Sequence, residues 1–238
     1  MPSLSPWCRR GRTEGGRRAR GFSAYGLLLL LVNAAPAGAE PVRILAFGDS
    51  LTAGYNLPAE DAFPIKLEEA LRAQGYDVAV RNAGVSGDTS AGGLARLDWT
   101  LAERPDLAIV ELGANDGLRG LDPAQTRANL NAIVDRLQQR GVAVLLAGML
   151  APPNLGRDYA EEFAAAYRDV GRRPGVVFYP FFLDGVAADR GLNQADGIHP
   201  NGRGVEVIVA RIMPYVKNML APPERSPPGV DSGKELPP

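Results

Sequence analysis

The chain has 238 residues, of which 22% are charged and 45% hydrophobic, with a formal net charge of −1. These proportions exclude collagen, coiled coil and wholesale disorder, and suit one domain with at most a small second one. The single histidine, His199, and the single cysteine, Cys8, exclude a two-imidazole site, a Cys₂His₂ or Cys₄ zinc site and an intrachain disulfide.

Residues 1–39 read as an export signal. Six arginines (Arg9, Arg10, Arg12, Arg17, Arg18 and Arg20) precede the apolar stretch Gly26 to Val32, and Ala37-Gly38-Ala39 forms a small-x-small cleavage pattern. The stretch is far shorter than the roughly 20 residues of a bilayer span, which argues against a permanent membrane helix. An organelle transit peptide or an over-extended start codon fits the same leader, and Arg17-Arg18 also fits a twin-arginine signal. Without the leader the chain keeps 20 basic and 26 acidic residues, a net charge of −6, and no cysteine. An acidic body argues against a nucleic-acid partner. Exported bacterial location, periplasmic or secreted, is the expectation. Residues 221–238 carry six prolines and little apolar content and read as a disordered tail. The folded domain is therefore expected at 40–220.

Within it, Val42 to Phe47 is a short apolar run stopped by Gly48, the pattern of a buried strand. Residues 60–74 have helical spacing, with Phe63, Leu67, Ala70 and Leu71 on one face. Asp77 to Arg81 predicts a second strand, 89–103 a helix, and Leu107 to Leu112 a third strand. Asp122-Pro123 starts a helix that runs to about Arg140, with an N-cap acid and proline in the first turn. Val142 to Ala147 and Val176 to Tyr179 are the fourth and fifth strands, with helices at 158–172 and 203–219. Strands that are continuously apolar and alternate with helices predict an α/β fold, a parallel sheet with helices on both faces. In such a sheet the ligand site lies at the carboxyl ends of the strands.

The segments after the strands are polar and glycine-rich: Gly48 to Tyr55, Asn82 to Thr89, Gly113 to Gly117 and Asp196 to Asn201. Acyl transfer needs a hydroxyl, a base, a carboxylate to orient the base, and donors for the oxyanion. Ser50 supplies a hydroxyl and His199 the only imidazole. Asp196 lies three residues before His199. Gly84 offers a backbone N–H and Asn115 a side-chain amide. Each feature alone is commonly turn chemistry; their joint placement at one rim points to a site. Asp49, Asp88 and Asp116 also fall at strand ends, where they could form a metal-binding or phosphoryl-transfer cluster. Alternatively, Asp49 braces the turn under Ser50 by accepting backbone N–H bonds.

Gly48-Asp49-Ser50-Leu51, with Gly84, Asn115 and His199 following in order, resembles the four blocks of the GDSL, or SGNH, hydrolases over about residues 42–216. Gly48–Tyr55, Ser86–Ser90, Gly113–Gly120, Pro152-Pro153-Asn154 and Asp196–Asn201 are similar to the exported bacterial branch of acyl-CoA thioesterases, lysophospholipases and arylesterases. Thr52 and Ala114 stand where Ser and Gly are frequent. The resemblance implies a three-layer α/β/α, flavodoxin-like fold with a five-stranded, mostly parallel sheet. It implies catalysis by Ser50, His199 and Asp196, an oxyanion hole of Ser50, Gly84 and Asn115, and no metal or cofactor. Small acyl esters, thioesters or lysophospholipids are the implied substrates. A carbohydrate deacetylase of the same family and a non-catalytic exported binding protein are the alternatives. Leu118, Pro153 and Ile198, with Leu121, Leu150 and Leu155, lie in loops suited either to line an acyl groove or to cover the core. The chain lacks the mid-chain Gly-x-Ser-x-Gly elbow of α/β-hydrolases. No sequence feature fixes an oligomeric state.

Overall fold

The computed structural model describes residues 40–220; the expected export signal and proline-rich tail lie outside the described residues. Five strands form one sheet: β1 (Val42–Gly48), β2 (Val78–Gly84), β3 (Leu107–Glu111), β4 (Ala143–Ala147) and β5 (Val176–Tyr179), in the order β2-β1-β3-β4-β5. Every pairing is parallel. Parallel strands require crossovers, and helices supply them. Helices α2 (Phe63–Ala73) and α7 (Gly202–Leu220) pack together, while α5 (Pro123–Gln139) packs against both α3 (Ser90–Thr100) and α6 (Arg157–Gly171). Each helix turns one stripe inward: Val205, Ile208, Val209, Ile212, Met213 and Val216 of α7 are buried at helical spacing. They meet strands such as Ile44 to Phe47, which are buried along their whole length.

Several boundaries differ from the sequence reading for local reasons. The expected helix at 60–74 is a 3₁₀ turn, Ala59–Asp61, followed by α2. Ala62 between them is extended, and Pro64 sits in the first turn of α2, where a missing N–H costs nothing. Strand β2 continues three residues past Arg81, because Asn82, Ala83 and Gly84 pair with Ala46, Phe47 and Gly48. Two short helices also replace expected loops: α1 (Ser50–Ala53) and α4 (Ala114–Leu118).

The order of the strands sets the position of the site. From β1 the chain first steps to β2 on one side, and later returns to place β3 on the other. Register brings Gly84 and Glu111 to either side of Gly48. The connections leaving β1 and β3 therefore diverge at one crevice, the switch point where open α/β sheets bind ligands. Among the described residues no helix is long and apolar enough to cross a membrane.

Candidate active site

Ser50 is the first residue of α1. Asp49 caps that helix, its Oδ1 accepting from the Leu51 N–H at 3.0 Å. Capping satisfies an otherwise orphaned donor and fixes the turn that carries the hydroxyl. From the far end of the chain, the loop before α7 curls back to meet it. The Gln194 N–H donates to the His199 carbonyl at 2.7 Å, and Gly197 N–H to the Gln194 carbonyl at 3.0 Å. Inside this curl Asp196 Oδ1 accepts from the N–H groups of Ile198 and His199, each at 3.0 Å.

The three side chains form a relay. His199 Nδ1 lies 2.7 Å from Asp196 Oδ2, and Nε2 lies 3.0 Å from Ser50 Oγ. A carboxylate can only accept, so Nδ1 carries the proton and Nε2 is left to accept from Ser50. The backbone N–H of His199, its ring and the Ile198 N–H hold the Asp196 carboxyl down at about 2. Tyr55 packs on the imidazole with ring centroids 4.7 Å apart.

Asn115 sits on α4. Its Nδ2 donates to the Asp88 carbonyl at 2.9 Å and to Asp49 Oδ2 at 3.2 Å. Gly84 falls outside this arrangement: its N–H donates to Asn82 Oδ1 at 2.9 Å, and it does not line the cleft beside Ser50. Gly84 instead permits a close approach, because a Cβ there would meet Ala53 N at 2.3 Å and the Asp49 carbonyl at 2.8 Å. The glycine brought to the cleft is Gly87, whose φ of +85° suits a residue without a Cβ. Neither Ser50 nor Gly87 N–H donates to a described residue, so both are available to a ligand. Gly84 and Gly87 stand in the same polar segment, Asn82 to Thr89, and it is the Ser86-Gly87-Asp88 turn that reaches the cleft.

An apolar cleft of about 560 Å³ opens beside the relay, within the range of small-molecule sites. Leu118, Leu150, Pro153 and Ile198 line it, together with Met149 and Phe181. Leu121 and Leu155 do not line it.

The other carboxylates each have a local partner. Asp88 pairs with Arg96 at 2.6 Å. Buried Asp116 accepts from the Ser90 N–H and hydroxyl and from the Thr126 hydroxyl, tying α3, α4 and α5 together. Asp49 is buried, which pushes its carboxyl up to about 6. Among the described residues no group of three His, Cys, Asp or Glu side chains is placed to hold a metal. The sequence reading passed over Glu111. It lies fully buried beneath the Ser50 turn, its Oε2 accepting from Thr52 Oγ1 at 2.7 Å. Burial first, and then the charge of Asp49, pushes its carboxyl well above the ordinary range.

A doubly wound sheet with a Ser-His-Asp relay at its switch point is a hydrolase-like architecture. The chain belongs to the GDSL-like lipase/acylhydrolase family, whose model matches residues 46–207. It is 41% identical over 202 residues to "Esterase TesA" of Pseudomonas aeruginosa, covering 84% of this chain and all of that one. It is 40% identical over 176 residues to "Thioesterase 1/protease 1/lysophospholipase L1" of Escherichia coli K12, covering 74% of this chain and 82% of the relative. Among solved structures, AlinE4, described as an SGNH-hydrolase family esterase, superposes with a TM-score of 0.65 at 48% identity, covering 77% of this chain and 99% of its own.

Proposed function

We propose that the protein is a serine hydrolase that cleaves carboxylic esters and thioesters of acyl chains through an acyl-enzyme on Ser50. The observation that carries this reading is the continuous Ser50–His199–Asp196 relay opening on an apolar cleft. Ser50 Oγ attacks the acyl carbonyl carbon as His199 Nε2 takes its proton. Asp196 orients the ring and stabilises the imidazolium. The tetrahedral oxyanion is met by the N–H groups of Ser50 and Gly87 and by one Asn115 amide hydrogen. The longer Asn115 bond, to Asp49, is the one the oxyanion replaces. Collapse expels the alcohol or thiol, which takes the proton back from His199. Water then attacks the acyl-enzyme, again deprotonated by His199, and releases the acid and free Ser50.

The relatives' names, esterase and lysophospholipase among them, support an acyl substrate. So do Leu118, Met149, Leu150, Pro153, Phe181 and Ile198 in the cleft, which suit an alkyl chain better than a sugar ring.

A fluorophosphonate probe tests the reaction. It is expected to label the wild type and not Ser50→Ala, and labelling of neither would favour a non-catalytic binding protein. Ester turnover is expected to fall by at least about a thousandfold in Ser50→Ala. Turnover of p-nitrophenyl esters should rise with chain length until the cleft is filled, and lysophosphatidylcholine should be hydrolysed. Preference for an acetylated sugar would favour the deacetylase instead. The basic leader and Ala37-Gly38-Ala39 support export, with Glu40 expected as the first residue of the mature protein by mass spectrometry.

A further inference from the structure

We propose that Arg96 is a positioning residue, one that aligns the oxyanion donors without touching substrate. The proposal rests on the serine-hydrolase reading and concerns how its donors are held. Arg96 lies on α3 with its side chain only 19% exposed. Its Nε donates to Asp88 Oδ2 at 2.6 Å, and its Nη2 to the Gly48 carbonyl at 2.9 Å. The guanidinium also lies 4.3 Å from the centre of the Phe47 ring.

These contacts join all three donor-bearing segments. Gly48 ends the strand that leads into Ser50. Asp88 closes the turn around Gly87, its N–H donating to the Val85 carbonyl at 3.1 Å. The Asp88 carbonyl also receives the Asn115 amide. One rigid fork thus sets the spacing between the Ser50 N–H, the Gly87 N–H and, through Asp88, the Asn115 amide. Oxyanion stabilisation depends on donors fixed in advance, so a small loss of alignment is read in the transition state more than in substrate binding. Arginine suits this place because its donors point in fixed, separate directions, whereas a lysine ammonium is a single flexible point charge. A second arginine, Arg119, holds the Gly87 carbonyl from the other side at 2.9 Å, but it is exposed and contributes less.

The test is a double-mutant cycle on p-nitrophenyl ester hydrolysis with Arg96→Met, Arg96→Lys and Asn115→Ala. Arg96→Met is expected to lower kcat by roughly 10- to 100-fold with KM within about twofold, and Arg96→Lys to restore only part of the loss. In the Asn115→Ala background the same Arg96→Met change should cost a distinctly smaller factor, because one donor it aligns is gone. An equal factor in both backgrounds, or a loss carried by KM, overturns the proposal. Arg136→Met, which removes an exposed contact to Asp98, controls for loss of a surface arginine and should leave kcat unchanged. If Arg96→Met does not fold, Arg96→Lys and Asp88→Asn carry the same comparison. A Ser50→Ala variant with wild-type turnover would instead overturn the underlying reading.

Discussion

At Asp196 three hydrogen-bond donors converge on one carboxylate. The group therefore stays ionised through the neutral and mildly acid range. Its depressed pKa has a defined sign: the stability it contributes is present above its ordinary 3.8 and is lost as pH falls toward about 2. The acid limb of the activity profile should accordingly carry no step from Asp196. A step in the kcat/KM profile that Asp196→Asn abolishes would contradict this. Asp196→Asn should impair turnover less than His199→Ala, since an amide can keep some of the ring's orientation without the charge. Glu111 presents the opposite case. Its raised pKa means that the folded state keeps a proton the unfolded state gives up, so it lowers stability as pH rises above its ordinary 4.5. Glu111→Gln imposes no such requirement. The variant should therefore gain on the wild type by about 1.4 kcal/mol per pH unit while Glu111 stays protonated, read as a widening gap in Tm. Ser50 and Asn115 were legible in the sequence because each is polar and falls just beyond an apolar run, and His199 because it is the lone imidazole, with Asp196 three residues before it. Glu111 was not, since a carboxylate inside a strand gives no linear sign of the Thr52 hydroxyl that meets it.

The strands and longer helices follow from apolar periodicity, and their existence needed nothing more. The errors cluster where long-range pairing decides: β2 is extended by its partner β1, and short α1 and α4 carry too few residues for a period. This is also where Gly84 was misassigned. A donor seen in sequence as free is committed to Asn82 once the strand continues. Gly84→Ala should expose the difference between packing and catalysis. The added methyl meets α1 backbone rather than a flexible side chain, so a destabilisation of about 1–3 kcal/mol is expected. Thermal or urea unfolding measures it. Gly87→Ala has open space around its Cβ, and its cost should come from the positive φ and from misaligning the N–H.

The whole domain assembles its site from opposite ends of the chain, with Ser50 after the first strand and His199 just before the last helix. The relay closes only when these two ends of the domain meet, so activity reports long-range packing. Net charge follows the same logic of parts: −1 for the full chain combines a basic stretch, residues 1–39, with an acidic remainder. No thiol lies within residues 40–220, so the unfolding midpoint of this body should not respond to reductant, and a shift on adding dithiothreitol would refute that. The lone imidazole has one more consequence. His199 is packed against the Tyr55 ring at 4.7 Å, so its carbon-bound protons feel a ring current in the folded state. A proton NMR spectrum contains only one histidine, assigned without any labelling, and its shift follows folding and, on the proposed mechanism, acylation of Ser50 in a single signal. The protein thus carries its own spectroscopic probe within the Ser50–His199–Asp196 relay.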